Sequence, residues 1–339
     1  KRLLSAGYLG LAEGYIKNEW TTPSLPNVFN FGAANLKSLD SNLTENLFVK
    51  ISNQLMRFFQ KNNRRGSHKN IANHYDLGNE FFLEWLDSSM TYSSAIFSDK
   101  KESLHDAQNN KYQRIIDTLG IKDTDKILEI GCGWGGFAEY TALQTGSNIT
   151  GLTISKEQYD YAIDRIDKNK LAENISILLQ DYRDAIGQFD MIVSIEMLEA
   201  VGESYWPTYF KTISNRLKKN GAAMIQVITV PDDYFDYYRN SMDFIQRYIF
   251  PGGMLLCPGK IREHSVKAGL NLVDAHMFGP SYAKTLEQWQ SSFQTNWHKI
   301  EEIGFDKRFK RIWEYYLDYT AAGFKSGAID VGQFHLRKS

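Results

Sequence analysis

Ile127-Leu128-Glu129-Ile130 runs directly into Gly131-Cys132-Gly133-Trp134-Gly135-Gly136, and this junction decides the fold. A short apolar run reads as a buried strand, and the stretch near 134–145 that follows reads as a helix. Glycines let the backbone turn sharply and approach a ligand where a side chain would collide. The helix start behind them offers unpaired N–H donors to a carboxylate or phosphate. A bland glycine turn is the alternative, but strand, glycines and helix in a first βαβ unit predict a nucleotide-type site. An NAD site would prefer an acid about 20 residues on, at the end of the second strand. Here that strand ends in Thr150-Gly151-Leu152-Thr153-Ile154-Ser155, with no acid.

Outward from this loop the chain alternates strands and helices, the signature of a parallel sheet. Further strands are expected at 148–152, 175–179, 189–195 and 222–229, with helices near 155–167 and 203–218. Beyond them, 259–269, 284–302 and 306–323 read as helices, and 271–279 and 329–337 as strands. The fold class is α/β: a doubly wound, mostly parallel sheet. Residues 1–42 are mixed, with turn signals at Thr22-Pro23-Ser24-Leu25-Pro26-Asn27. The 43–60 stretch places Leu43, Leu47, Ile51, Leu55 and Phe58 at helical spacing. A basic hinge with Lys61, Arg64, Arg65, His68 and Lys69 follows, so residues 1–70 read as a small helical extension and 71–339 as the main domain.

Composition narrows the function. With 39 basic against 40 acidic residues, a general nucleic-acid binder is not expected. Lys and Arg in 307–311 read as a solvated helix face. Two cysteines build no disulfide scaffold, and no four-ligand Cys/His cluster predicts a metal. No apolar run approaches the roughly 20 residues of a membrane span. Lys1-Arg2-Leu3-Leu4 reads neither as a complete signal peptide nor as an initiator.

The glycine phrase resembles the first motif of S-adenosylmethionine (SAM) methyltransferases, and other phrases extend the likeness over nearly the whole chain. They are 73–82 (NHYDLGNEFF), 90–95 (MTYSSA), 151–158 (GLTISKEQ), 181–184 (DYRD), 194–202 (SIEMLEAVG), 248–254 (YIFPGGM) and 282–286 (YAKTL). Together they are similar to the cyclopropane fatty acid synthase family, which includes the mycolic acid cyclopropane synthases. Residues 1–70 resemble the small N-terminal domain of the enzymes acting on fatty-acyl phospholipids. The resemblance implies a seven-stranded class I SAM methyltransferase sheet, lid helices at 71–120 and acyl-chain insertions at 230–325.

Carried over by position, it implies that SAM contacts Tyr92 and Ser93, then Gly131 and Gly133. Thr153 and Gln158 would serve the ribose, with Asp181 and Tyr182 near the adenine. Read alone, Thr153 and Gln158 would pass for a helix cap and a surface residue, and Asp181 for a turn former. Glu196 and Glu199 close the fourth strand, where acids face the ligand crevice of a doubly wound sheet.

The implied reaction is methyl transfer to a carbon–carbon double bond, leaving a carbocation in the acyl chain that must lose a proton. A cation in a lipid tunnel needs water excluded and aromatic faces nearby; Phe81, Phe82, Tyr92, Tyr248 and Phe250 are candidates. In the family the base is a bound bicarbonate, held by a cysteine, a glutamate, a histidine, a backbone amide and a tyrosine. These positions hold Ser94, Glu199, Gln226, Ile228 and Tyr282 here. Serine and glutamine still donate hydrogen bonds to an oxyanion, but glutamine cannot take a proton. Methyl transfer is therefore expected, with the product open between a cyclopropane and a methyl or methylene branch.

The expected substrate is an unsaturated phospholipid acyl chain at a membrane surface. That implies a cytoplasmic enzyme peripherally associated with the bilayer, its oligomeric state open to a homodimer. The 43–60 helix with Lys50, Arg57, Lys61, Arg64 and Arg65 could lie on an anionic surface or pack on the main domain. Competing readings are a SAM methyltransferase of a soluble small molecule and a non-catalytic SAM- or lipid-binding homologue.

Overall fold

The computed structural model describes residues 2–35, 66 and 77–339. Seven strands form one sheet: β1 (Lys126–Ile130), β2 (Asn148–Thr153), β3 (Ile175–Leu179), β4 (Phe189–Ile195), β5 (Leu217–Thr229), β6 (Leu270–Met277) and β7 (Asp330–Lys338). Their order is β3-β2-β1-β4-β5-β7-β6. The first five run parallel, and β7 lies antiparallel between β5 and β6. Strand order reverses between β1 and β4, so a crevice opens beyond their carboxyl ends. The central strands are apolar on both faces because helices cover both sides. The last four residues of β1 are all buried.

The expected strands are present, with two instructive shifts among the elements. β5 starts at Leu217 rather than 222, taking over the end of the helix expected near 203–218, which stops at Arg216. Lys218 is held in place by Asp190 of β4, at 2.8 Å to each carboxylate oxygen. The helix expected at 284–302 is two, Gly279–Thr295 and Trp297–Glu302. Pro280 sits in the first turn, where the missing N–H would have had no partner and helix formation is not obstructed.

Arg2–Ile16, helical on either side of a break at Ala6-Gly7, and the helix Leu25–Ala34 occupy the stretch that reads as mixed. Ser24 caps the second, its Oγ accepting the Asn27 N–H at 3.4 Å. Both pack on helix Lys307–Ser326. The Phe29 ring meets Tyr315 edge-on at 4.9 Å, and the Arg311 guanidinium lies 3.7 Å from the Tyr15 ring centre. Ala12, Tyr15, Leu25 and Phe29 thus share a core with Trp289, Trp313 and Leu317. The 43–60 stretch, the basic residues from Lys50 to Lys69 and residues 73–76 lie outside the described residues.

Candidate active site

Positive φ values at Gly131 (81°), Gly133 (53°) and Gly135 (83°) turn the chain from β1 into helix Gly136–Thr145. The N–H groups of Gly131 and Cys132 both donate to Leu152 O at 2.9 Å, pinning the loop to β2. A Cβ on Gly131 would lie 2.8 Å from Met197 Cγ, whereas one on Gly133 would enter open space. The loop therefore presents bare backbone to a cavity of about 860 Å³.

Tyr92, Ser93, Gly131, Gly133, Thr153, Gln158, Asp181 and Tyr182 all line this cavity, as do Glu199, Ile228 and Tyr282. Thr153 Oγ1 donates to Gln158 Oε1 at 2.9 Å, and Ser155, not Thr153, caps helix Lys156–Lys168. Asp181 is braced by Arg183 Nε at 2.8 Å and Nη2 at 2.5 Å. Tyr92 and Tyr316 share a hydroxyl hydrogen bond at 2.8 Å. Among the aromatic candidates, Tyr92 and Phe250 line the cavity. Phe81 and Phe82 are instead fully buried beside Trp85, where they build core.

Ser94 and Gln226 do not line the cavity; Glu196 does. Its carboxylate is caged: Oε1 accepts the Ser94 N–H at 2.9 Å and Gln226 Nε2 at 2.7 Å, and Oε2 accepts the Tyr282 hydroxyl at 2.7 Å. Ser94 Oγ turns away to Ala95 O at 3.0 Å. The Ile228 N–H donates to Glu199 Oε1 at 2.6 Å. The donors expected to hold a bicarbonate are thus engaged by two glutamates of the chain itself, and a free oxyanion does not fit them. The sequence marked Glu196 as a crevice acid without assigning it this place.

Burial pushes Glu199 up to about 8, with the neighbouring Glu196 charge adding to it and the Ile228 N–H opposing it. Among the described residues, Glu199 Oε2 has no hydrogen-bond partner. Glu196 is raised by burial, against the pull of Tyr282, Gln226, Lys111 and Ser94. Glu129, also lining the cavity, is pushed by burial up to about 8, and its Oε2 has no partner among the described residues. Burial lowers Lys111 to about 7, with Glu196 the strongest opposing charge. Lys111 is a functional residue that the motifs do not mark, although the sequence carries a signal for it. It stands on the buried stripe of helix Leu104–Leu119 with Ala107, Tyr112, Ile115 and Leu119, where a charge is out of place.

Acidic groups around a bare glycine loop suit a ligand with positive centres, as the ammonium and sulfonium of SAM are. Residues 62–334 match the family model for mycolic acid cyclopropane synthetase. The chain belongs to that family. It is 36% identical to the tuberculostearic acid methyltransferase UfaA1 of Mycobacterium tuberculosis, over 99% of this chain and 80% of that protein. It is 35% identical to the cyclopropane-fatty-acyl-phospholipid synthase of Escherichia coli, over 98% of this chain and 84% of that one. Among solved structures, the cyclopropane synthase MmaA2 of M. tuberculosis superposes with a TM-score of 0.75 at 29% identity, covering 80% of this chain and 98% of its own. Mycolic acid cyclopropane synthase CmaA1, solved with S-adenosylhomocysteine (SAH) and CTAB, also has a TM-score of 0.75, at 28% identity over the same shares. By fold and family, this mycolic acid cyclopropane synthetase relative is a SAM-dependent methyltransferase.

Proposed function

We propose that the protein transfers a methyl group from SAM to the double bond of an unsaturated fatty acyl chain carried by a phospholipid. One observation carries this reading. A single cavity joins the glycine loop to a pole lined by Val28, Phe29, Phe244, Ile245, Tyr315 and Tyr319. A polar soluble substrate would leave that apolar pole unused, whereas an acyl chain fills it. Glu129, Glu196 and Glu199 line the same cavity.

SAM supplies, when bound, a methyl made electrophilic by its sulfonium. The residues do the rest. Tyr92, Ser93, Gly131 and Gly133 serve its methionine portion, Thr153 and Gln158 the ribose, and Asp181 and Tyr182 the adenine. Tyr92, Phe250 and Tyr316 face the cavity, so a cation arising on the acyl chain meets aromatic faces rather than water. Tyr282 holds the acid cluster from the acyl side, its ring stacked on Phe324 at 4.4 Å.

Phe31 and Tyr237 line the cavity and are 68% and 54% exposed, so one edge of the cavity reaches the protein surface through aromatic side chains. Such a rim suits contact with a bilayer, from which an acyl chain could enter without crossing water. No helix among the described residues is long and apolar enough to cross a membrane.

The test is incubation with methyl-labelled SAM and vesicles of monounsaturated phospholipid, with the acyl products identified by mass spectrometry. Label in a chain one carbon heavier supports the reading, and fragmentation distinguishes a ring from a methyl or methylene branch. Absence of label from every lipid would overturn it.

A further inference from the structure

Glu196 follows β4 with φ at +50°, a left-handed conformation that favours glycine. Holding a side chain there costs about 1 kcal/mol or more, so its surroundings must fix it in place. The surroundings do so through the carboxylate, which fills the cage of the Ser94 N–H, the Gln226 amide and the Tyr282 hydroxyl.

The cage is wired as a donor. Arg114 Nη1 donates to Gln333 Oε1 at 2.9 Å, and Gln333 Nε2 donates to Gln226 Oε1 at 3.1 Å. Gln226 is left with only its NH₂ to offer toward Glu196, so its amide cannot flip to present an acceptor without losing the Gln333 bond. With Ile228 N–H taken by Glu199, an external anion would find these donors engaged and the Glu196 carboxylate repelling it.

We infer that the Glu196 carboxylate is the proton acceptor of the reaction, a base built into the chain where the family places bicarbonate. The inference rests on the proposed methyl transfer. Once the alkene π pair has bonded to the methyl carbon, the positive charge has passed from sulfur to the acyl chain. Glu196 takes a proton from the new methyl, and that C–H electron pair becomes a carbon–carbon bond. The bond closes a ring on the first cationic carbon, or forms a methylene if a hydride shift has moved the charge to the methyl-bearing carbon. The carboxylate ends as a carboxylic acid, and the proton then passes to solvent.

Glu196→Gly is the informative variant. It relieves the left-handed strain and empties the cage, leaving three donors for an external anion. Glu196→Gln, which keeps the bulk of the side chain, covers the case in which glycine fails to fold. The enzyme is assayed in carbon-dioxide-free buffer, with and without added bicarbonate. Binding of ¹³C-bicarbonate to the resting protein is read by NMR, and SAH affinity by calorimetry.

The wild type should turn over equally with and without bicarbonate and should bind no label. Both variants should bind SAH normally and lose at least ~100-fold in turnover, the scale of a general base. Bicarbonate should restore ~10-fold or more to Glu196→Gly and should be seen bound to it. Labelled bicarbonate bound by the wild type would overturn the inference, as would a wild-type rate that collapses without it. Full activity of Glu196→Gln in carbon-dioxide-free buffer would do the same. The binding arm needs no lipid product, so it decides the inference separately from the methyl-transfer reading.

Discussion

Lys111 Nζ donates to Ser93 Oγ at 2.7 Å from a position with no exposure to solvent. A buried ammonium is costly by itself, and here Glu196, Asp87 and Glu129 supply the opposing charge. The lysine therefore links the segment at Ser93 electrostatically to the caged Glu196.

Replacing it by methionine keeps the volume and removes the charge. The ionised form of Glu196 then loses a stabilising cation, so its carboxyl titrates at higher pH. The acidic limb of the pH–rate profile should move upward in Lys111→Met, with SAH affinity little changed. An unmoved limb would show that Lys111 only fills space.

Tyr282→Phe removes one of the three donors to the Glu196 carboxylate, leaving Oε2 without its hydroxyl partner. A lost hydrogen bond to a buried charge costs about 1.5–3 kcal/mol. We expect a lower melting temperature and a turnover reduced roughly 10–100-fold, with SAH binding within about 3-fold of wild type. Calorimetry and steady-state rates separate the two effects.

Glu199 gives a pH-dependent stability. Its folded pKa of about 8 lies above the unfolded value, so the folded state holds the extra proton between about 4.5 and 8. Stability from this group is present at low pH and is lost as pH rises through that window. Glu199→Gln cannot ionise, so its melting temperature should gain on the wild type as pH rises from about 5 to 8 and level off above. Parallel melting curves across that range would contradict the assignment.

The two loop glycines should fail differently. Gly131→Ala meets Met197 Cγ at 2.8 Å and also adopts a strained φ, so folding should suffer. Gly133→Ala has open space for its methyl, on the cavity side. It should lose about 1–2 kcal/mol of stability from backbone strain, and more than 10-fold in SAH affinity. Thermal denaturation beside calorimetry reads both.

Much of this architecture was legible because the physics was local. The apolar run before Gly131 could only be a buried strand, and the glycines had to turn it. The ends of β1, β3 and β4 fall where the apolar runs stop. What stayed illegible depended on distant partners. Nothing near Lys218 announces that Asp190 will draw a polar stretch into β5. Glu196 reads as a crevice acid, but only the folded chain brings Ser94, Gln226 and Tyr282, from three separate segments, around its carboxylate. Phe81 and Phe82 show the converse. Their rings suit a tunnel that holds a cation, yet packing against Trp85 and Trp313 commits them to the core.

The placement of β7 sets an order of events during synthesis. It is the last of the seven strands to leave the ribosome, and it slots between β5 and β6, both already made. Gln333 rides on it to orient Gln226. Until then β6 has no neighbour in the sheet and the Glu196 cage is missing its outer brace. A nascent chain can close its glycine loop early, but its acid cluster is completed only with the final strand. The glycine loop should therefore be formed before Gln226 is fixed against Glu196.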